Sequence, residues 1–267
     1  MPSDKPSPDR AGQHHEPPGL GDVAALLAKA RAVVCLTGAG VSAESRIPTF
    51  RDAMTGLWAS FDPMKLATPE AFKADPEMVS RWYDFRRAKC RDAEPNPGHL
   101  ALVRMERELR ARAARFDLIT QNVDGLHTRA GSMDPIEIHG SIEIWRDTET
   151  DEEYGPQELP CPFPEYPPKA PTGGSLRPGV VWFGEMLPDK AMRRVATALD
   201  SCDLFFSIGT SAVVYPAAGF AEIAQRRGAS VIEINTEPTP ASSEVDHALH
   251  GPSGVILPQL VRLAFGE

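Results

Sequence analysis

Five short polar stretches of this chain hold the residue types that do chemistry, and each follows directly on a run of strand-forming residues. They are Gly38-Ala39-Gly40-Val41-Ser42, Gln121-Asn122-Val123-Asp124, His139-Gly140, Gly209-Thr210-Ser211 and Asn235-Thr236-Glu237. The first, extended to Ala43, fits the G-x-G-x-x-G/A spacing. Its glycines let the backbone turn tightly and approach a ligand, and the N–H groups of the loop and helix start can face a pyrophosphate. The same spacing also serves as a purely structural turn. His139 offers an imidazole, the side chain whose ordinary pKa suits a general base at neutral pH, although a strand-end His is also a common structural residue. A separate pair, Tyr83 and Arg86, is spaced i, i+3 on one helix face. A phenol beside a guanidinium can receive a small carboxylate. A surface helix carries such pairs by chance too, and Arg87 competes for the role.

The elements that must position these residues read as follows. Ala32 to Leu36, Phe116 to Thr120, Ile136 to His139, Leu204 to Ile208 and Val231 to Asn235 are short apolar runs bounded by turns, the mark of buried parallel strands. Helical spacing covers Asp22 to Ala30, Pro69 to Cys90 (with Asp75-Pro76 as a start signal) and His99 to Ala114, the last with Leu100, Val103 and Leu109 as its apolar positions. The expectation is an α/β fold, a doubly wound parallel (Rossmann-like) sheet with a smaller inserted domain. Ligands of such sheets sit outside the carboxyl ends of the strands, where all five polar stretches fall. Residues 1–18 read as a disordered tail. Residues 19–51, 97–140 and 179–267 read as the nucleotide-binding domain, and 52–96 with 141–178 as the small one. The Pro-dense and acidic part of 141–178 reads as loop.

At 267 residues, with 42% hydrophobic and 24% charged residues, the chain has globular composition and length enough for a substantial core. The net charge of −9 argues against a general nucleic-acid surface. No apolar run reaches membrane-span length and the N-terminus lacks a signal-peptide core, so a soluble cytoplasmic protein with no membrane partner is expected; no oligomer is predicted. Cys35, Cys90, Cys161 and Cys202 are too dispersed for a disulfide framework.

GAGVSAES (Gly38 to Ser45) followed by IPTFRD (Ile47 to Asp52) resembles the sirtuin family, the NAD-dependent protein-lysine deacylases. The resemblance returns at Thr120 to His127 (TQNVDGLH), at His139-Gly140, at Val180 to Glu185 (VVWFGE) and at Gly209 to Ser211. It implies NAD as cofactor and acylated-lysine proteins or peptides as partners. In the implied reaction the acyl oxygen attacks C1′ of the nicotinamide ribose, nicotinamide leaves, and a base deprotonates the ribose diol. Free lysine and O-acyl-ADP-ribose result. By resemblance His139 is that base, with Asn122 beside it in catalysis. Asn122 and Asp124 would orient the nicotinamide ribose and carboxamide, and Gln121 would contact the ribose. Gly38, Ala39, Gly40, Ser42 and Arg51 would serve the phosphates and a lid that includes Ile47 and Pro48, with Phe50 covering C1′. Gly209, Thr210, Ser211, Asn235, Thr236, Glu237 and the Ser253 backbone would hold the phosphate and adenosine side. Val181, Trp182, Phe183, Gly184 and Glu185 would form a strand-like ledge for the substrate peptide. Tyr83 and Arg86, with the small Ala67, resemble the branch that removes succinyl and malonyl groups.

Two departures stand out. Most sirtuins hold a structural zinc on two C-x-x-C pairs in the second insertion; here only Cys161 is present, with Pro164 where its partner belongs, so zinc is not expected. Packing of Trp145, Tyr154, Phe163 and Tyr166, with the prolines, is expected to hold that lobe. Arg46 stands where the family usually has Gly. Rival readings are an ordinary NAD(P) oxidoreductase, which lacks support because no second strand or ribose-binding acid follows the loop; an NAD hydrolase or ADP-ribosyltransferase on the same scaffold; and a non-catalytic NAD sensor.

Overall fold

The structure, a computed structural model, describes residues 17–47 and 62–266. Most of the expected tail, and Pro48, Phe50 and Arg51 of the expected lid, lie outside them. In chain order the elements are α1 (Leu20–Lys29), β1 (Ala32–Thr37), α2 (Ala39–Ala43), α3 (Pro63–Leu66), α4 (Pro69–Ala74), α5 (Pro76–Asp92) and α6 (Pro97–Ala111). They continue with β2 (Arg115–Thr120), α7 (Leu126–Ala130), β3 (Ile136–Glu137), β4 (Gly140–Asp147), β5 (Glu153–Tyr154) and β6 (Leu176–Val180). The last are α8 (Asp189–Asp200), β7 (Leu204–Ile208), α9 (Phe220–Arg226), β8 (Ser230–Asn235), β9 (His247–His250) and α10 (Ser253–Phe265).

Among the described residues six strands form one sheet in the order β3-β2-β1-β7-β8-β9, every neighbouring pair parallel. The chain moves outward from β1 on one side and returns to β7 on the other, so the order reverses between β1 and β7. A doubly wound sheet opens its ligand crevice at that reversal. One face of the sheet packs on α1, α6 and α10 through Leu27, Leu102, Met105, Leu257 and Leu260. The other packs on α8 and α9 through Val195, Leu199, Phe220 and Ala224. Strands buried on both faces explain why their sequences are continuous apolar runs.

A second core joins α5 to a three-stranded antiparallel sheet of order β5-β4-β6. The segment expected to be loop-like therefore carries strands: β4 pairs with β6 across Trp145–Pro178 and with β5 across Trp145–Tyr154. Trp145, Tyr154 and Phe163 are buried there, with Tyr166 against them. Polar bonds add to this packing. The fully buried Asp84 carboxylate accepts two bonds from Arg87 (2.9 and 2.6 Å), one from Phe163 N–H (2.8 Å) and one from the Tyr166 hydroxyl (2.5 Å). Arg87 also donates to Pro160 O and lies over the Phe163 ring at 4.2 Å. At the far end Asp147 accepts from Glu149 N, Thr150 N and the Thr172 hydroxyl, tying the β4–β5 turn to the loop before β6.

The helical stretch expected over Pro69 to Cys90 is two helices broken at Asp75, whose carboxylate caps α5 by accepting from Met78 N–H (2.9 Å). Asn96 and His99 form a capping box on α6, which starts at Pro97. Leu100, expected on its apolar face, is 53% exposed; Leu102 and Met105 face the core instead. The edge strand β9 has no counterpart in the sequence reading. The four cysteines form no disulfide.

Candidate active site

Gly38 and Gly209 sit at the carboxyl ends of β1 and β7, on the two sides of the reversal. Gly38 N–H donates to Ile208 O (3.0 Å) and Gly40 N–H to Gly209 O (2.8 Å). A Cβ on Gly40 would lie 2.7 Å from Gly209 Cα, and one on Gly38 would lie 2.8 Å from Gly209 O. Gly209 itself has φ +58°. These loops touch backbone to backbone, so glycine is required on both sides. Such a cradle, bare of side chains where β1 enters α2, fits a dinucleotide pyrophosphate.

Across the cradle, β1 and β2 are cross-linked by three predicted residues. Ser42 Oγ donates to Asp124 Oδ2 (2.7 Å), and Asn122 Nδ2 donates to Gly38 O (3.0 Å) and Ser42 Oγ (3.1 Å). Asp124 Oδ1 accepts from Leu126 N–H (2.9 Å). Burial pushes the Asp124 pKa up, against the pull of these bonds. Ser42, expected on the phosphates, and Asn122 thus spend bonds on shaping the loop.

His139 follows β3 and is half-buried. Its Nδ1 lies 3.0 Å from Gln121 O. A carbonyl only accepts, so Nδ1 carries the proton and the Nε2 lone pair is left for a base. Burial lowers the imidazole pKa, and the bond to Gln121 opposes that shift. The neutral ring needed by a general base is therefore the favoured form at neutral pH.

Among the residues expected on the adenosine side, Asn235 Nδ2 donates to Thr210 O (2.9 Å) and its Oδ1 accepts from Thr236 N–H, while Thr236 and Glu237 are exposed. The Thr210 hydroxyl accepts from Ala212 N–H; Ser211 is half-buried. Ser253 begins α10, and Glu44 accepts from its hydroxyl (3.0 Å) and from Gly254 N–H (2.8 Å). That carboxylate ties the end of the Gly loop to α10. Ala39 lies half-buried in α2, and Ile47 packs against the second core.

The ledge expected at Val181 to Glu185 is not a strand. Val181 N–H donates to His139 O, Phe183 N–H to Ala67 O, and Glu185 N–H closes a turn on Trp182 O, with Gly184 at φ +88°. Trp182 is buried rather than presented to a peptide. Phe183 is 41% exposed beside it. Tyr83 is buried, with its pKa raised to about 12 by burial, against the nearby Arg86 charge. Arg86 lies over the Trp82 ring at 4.8 Å. Arg87, the competing arginine, is committed to Asp84. Ala67 is buried at the head of α4.

Three groups were not singled out by sequence. Glu137 lies two residues before His139, and burial followed by the Asp124 charge lifts its pKa to about 7. His127 Nε2 sits 2.9 Å from Thr37 Oγ1 under the Gly loop, and the His99 ring packs against it, tilted by 56° with ring centroids 4.8 Å apart. Burial lowers their pKa values to about 3 and about 4. The strand alternation that puts Glu137 and His139 two apart was the one legible signal; the histidine pairing joins distant segments.

Residues 38–216 match the model of the Sir2 family. The chain belongs to the Sir2 family. A Sir2-family relative from Pseudomonas aeruginosa, named NAD-dependent protein deacylase 1, is 48% identical over 249 residues, covering 91% of this chain and 98% of the relative. Among solved Sir2 structures, a Sir2 homolog–NAD complex superposes with a TM-score of 0.85 at 42% identity, over 94% of this chain and 96% of that one. A mutant Sir2 homologue in complex with 2′-O-acetyl ADP ribose superposes with a TM-score of 0.83 at 43% identity, over 91% and 95%.

Proposed function

We propose that this chain is an NAD-dependent protein-lysine deacylase that favours succinyl- and malonyl-lysine over acetyl-lysine. NAD, once bound, supplies an electrophilic ribose carbon. The bare Gly38, Gly40 and Gly209 cradle would take its pyrophosphate, with Ala39 beside it. Ser211, Asn235 and Glu237 would serve the adenosine side. Asn122 and Asp124 hold the loop in shape through Ser42, and Gln121 both lines the ribose end and fixes the His139 tautomer. His139 Nε2 accepts the proton from the ribose diol. Phe50 would exclude water from that carbon. The observation that carries the reading is the His139–Gln121 geometry, which presents an unprotonated Nε2 at the sheet edge that also holds the glycine cradle.

The acyl preference rests on α5. Arg87 is committed to Asp84, and Arg86 lies near enough to Tyr83 for its charge to act on the phenol, so Arg86 with Tyr83 would receive the acyl carboxylate. The test is mass spectrometry of the products from NAD with acetyl- and succinyl-lysine peptides, on the wild type and Arg86→Met. The wild type should release nicotinamide and O-succinyl-ADP-ribose. Losing a charged hydrogen-bond partner costs about 1.5–3 kcal/mol, so the variant should lower the succinyl-to-acetyl efficiency ratio by about 10–100-fold. Free ADP-ribose formed without a peptide would favour the hydrolase or transferase reading. A wild type without acidic preference would remove Tyr83 and Arg86 from specificity.

A further inference from the structure

Trp182 sits where β6 turns toward the main sheet, and its surroundings hold it in one orientation. The Phe72 ring centroid lies 5.3 Å from the indole, and the Arg177 guanidinium carbon lies over the indole ring, 3.6 Å from its centroid. Arg177 is itself fixed by two bonds to Glu185 (2.6 and 3.0 Å), and Glu185 Oε2 accepts the Trp182 backbone N–H (2.8 Å). So clamped, the indole donates its N–H to the Tyr83 hydroxyl oxygen at 3.0 Å. Among the described residues Tyr83 donates its own hydroxyl proton to nothing.

An indole N–H can only donate, so this bond occupies an acceptor position of the phenol and leaves the phenol's donor for a ligand. A hydroxyl with both capacities open would take an amide or a carboxylate alike. One confined to donating favours an anionic oxygen, because charge-assisted bonds are roughly twice as strong as neutral ones. We infer that Trp182 is a specificity-determining positioning residue, which by donating to Tyr83 fixes the phenol as a donor toward the carboxylate of an acidic acyl group. This inference rests on the acidic-acyl reading above. It also gives Trp182 a part in substrate choice without contact to the peptide.

The test replaces the Trp182 side chain with its benzothienyl isostere, β-(3-benzothienyl)alanine, which keeps the bicyclic shape and lacks the N–H. Trp182→Phe is run beside it. Thermal unfolding reports whether each folds. kcat and KM are measured on succinyl- and acetyl-lysine peptides, with Arg86→Met as reference. Loss of one neutral hydrogen bond should lower the succinyl-to-acetyl ratio of kcat/KM by about 2–10-fold, and the change should lie in KM for the succinyl peptide. A folded isostere whose ratio matches the wild type, or whose losses are equal on both peptides, overturns the inference while Arg86→Met still upholds the acidic reading. If the wild type has no acidic preference and Arg86→Met leaves the ratio unmoved, the reading and the inference fall together.

Discussion

Replacing Arg87 with Met tests how the second core is held. Its guanidinium and the Asp84 carboxylate both have fully buried side chains and meet at 2.6 Å. Asp84 also receives Phe163 N–H and the Tyr166 hydroxyl, so α5 is joined through it to the 160–166 loop. Met fills much of the space between the Trp145 and Phe163 rings but leaves an unpaired buried carboxylate. Breaking a buried pair from one side costs about 3–5 kcal/mol. At about 2–4 °C per kcal/mol for a chain somewhat below this size, Tm should fall by roughly 6–20 °C. Calorimetry on the wild type, Arg87→Met and the double variant Asp84→Asn/Arg87→Met checks the sum. The double variant should recover part of the loss, since Asn keeps an acceptor for Phe163 N–H without the charge. A chelator should leave the wild-type Tm in place, because Cys161 is the one thiol of residues 141–178 and a single thiolate does not hold a structural zinc. A single variant within about 1 °C of the wild type would refute the reasoning, and elemental analysis finding one zinc per chain would refute the account of the lobe.

His139→Ala should lower kcat/KM by at least about 10²-fold with the fold intact by circular dichroism. Because burial lowers the His139 pKa, the acid limb of the kcat/KM profile should fall below the ordinary imidazole value near 6.5. His99 and His127 stay neutral in the folded chain down to about pH 4 and about pH 3, whereas the unfolded chain protonates them near 6.5. The unfolded state thus binds more protons in that window, and chemical-denaturant stability should drop as pH falls from about 6.5 toward 4. The more neutral His127→Gln should flatten part of that slope. Arg46 has φ +62°, a left-handed backbone that costs a non-glycine residue about 1–2 kcal/mol. Arg46→Gly should therefore hold or raise Tm by a few degrees after glycine's entropy in the unfolded chain is counted, and Arg46→Val should lower it.

The sheet was legible because its central strands are buried on both faces, which leaves unbroken apolar runs such as Val33 to Leu36 and Leu204 to Ile208. The edge strand His247–His250 has no such run and needed its neighbour β8 to be seen. The small sheet was hidden because its strands lie among prolines and charges, and only Ile142, Trp145 and Leu176 mark its inner face. Sequence placed Asn122, Asp124 and Ser42 at one site but could not show that they bond to one another across 80 residues or more. Helix spacing offered both Arg86 and Arg87 to the acyl group. Burial beside Asp84, a tertiary fact, removed Arg87. The segment Val181 to Glu185 is not a strand for a related reason: VVWFGE looks strand-like, yet the Trp182 and Phe183 N–H groups are taken by Glu185 and Ala67 at a turn.

The backbone contact between Gly40 and Gly209 has a bearing on how this enzyme can change. Where two loops meet without side chains, no substitution can adjust the meeting gradually; each is either tolerated by glycine or rejected by a clash at 2.7 Å. Saturation mutagenesis there should return an almost empty set of survivors. Residues on α5 and the turn after β6 belong to a different core, and their exchanges leave that contact untouched. On the proposed reading the nucleotide cradle would be fixed in the main chain and acyl preference carried by exchangeable side chains, so directed evolution toward new acyl groups would have a separate core in which to work.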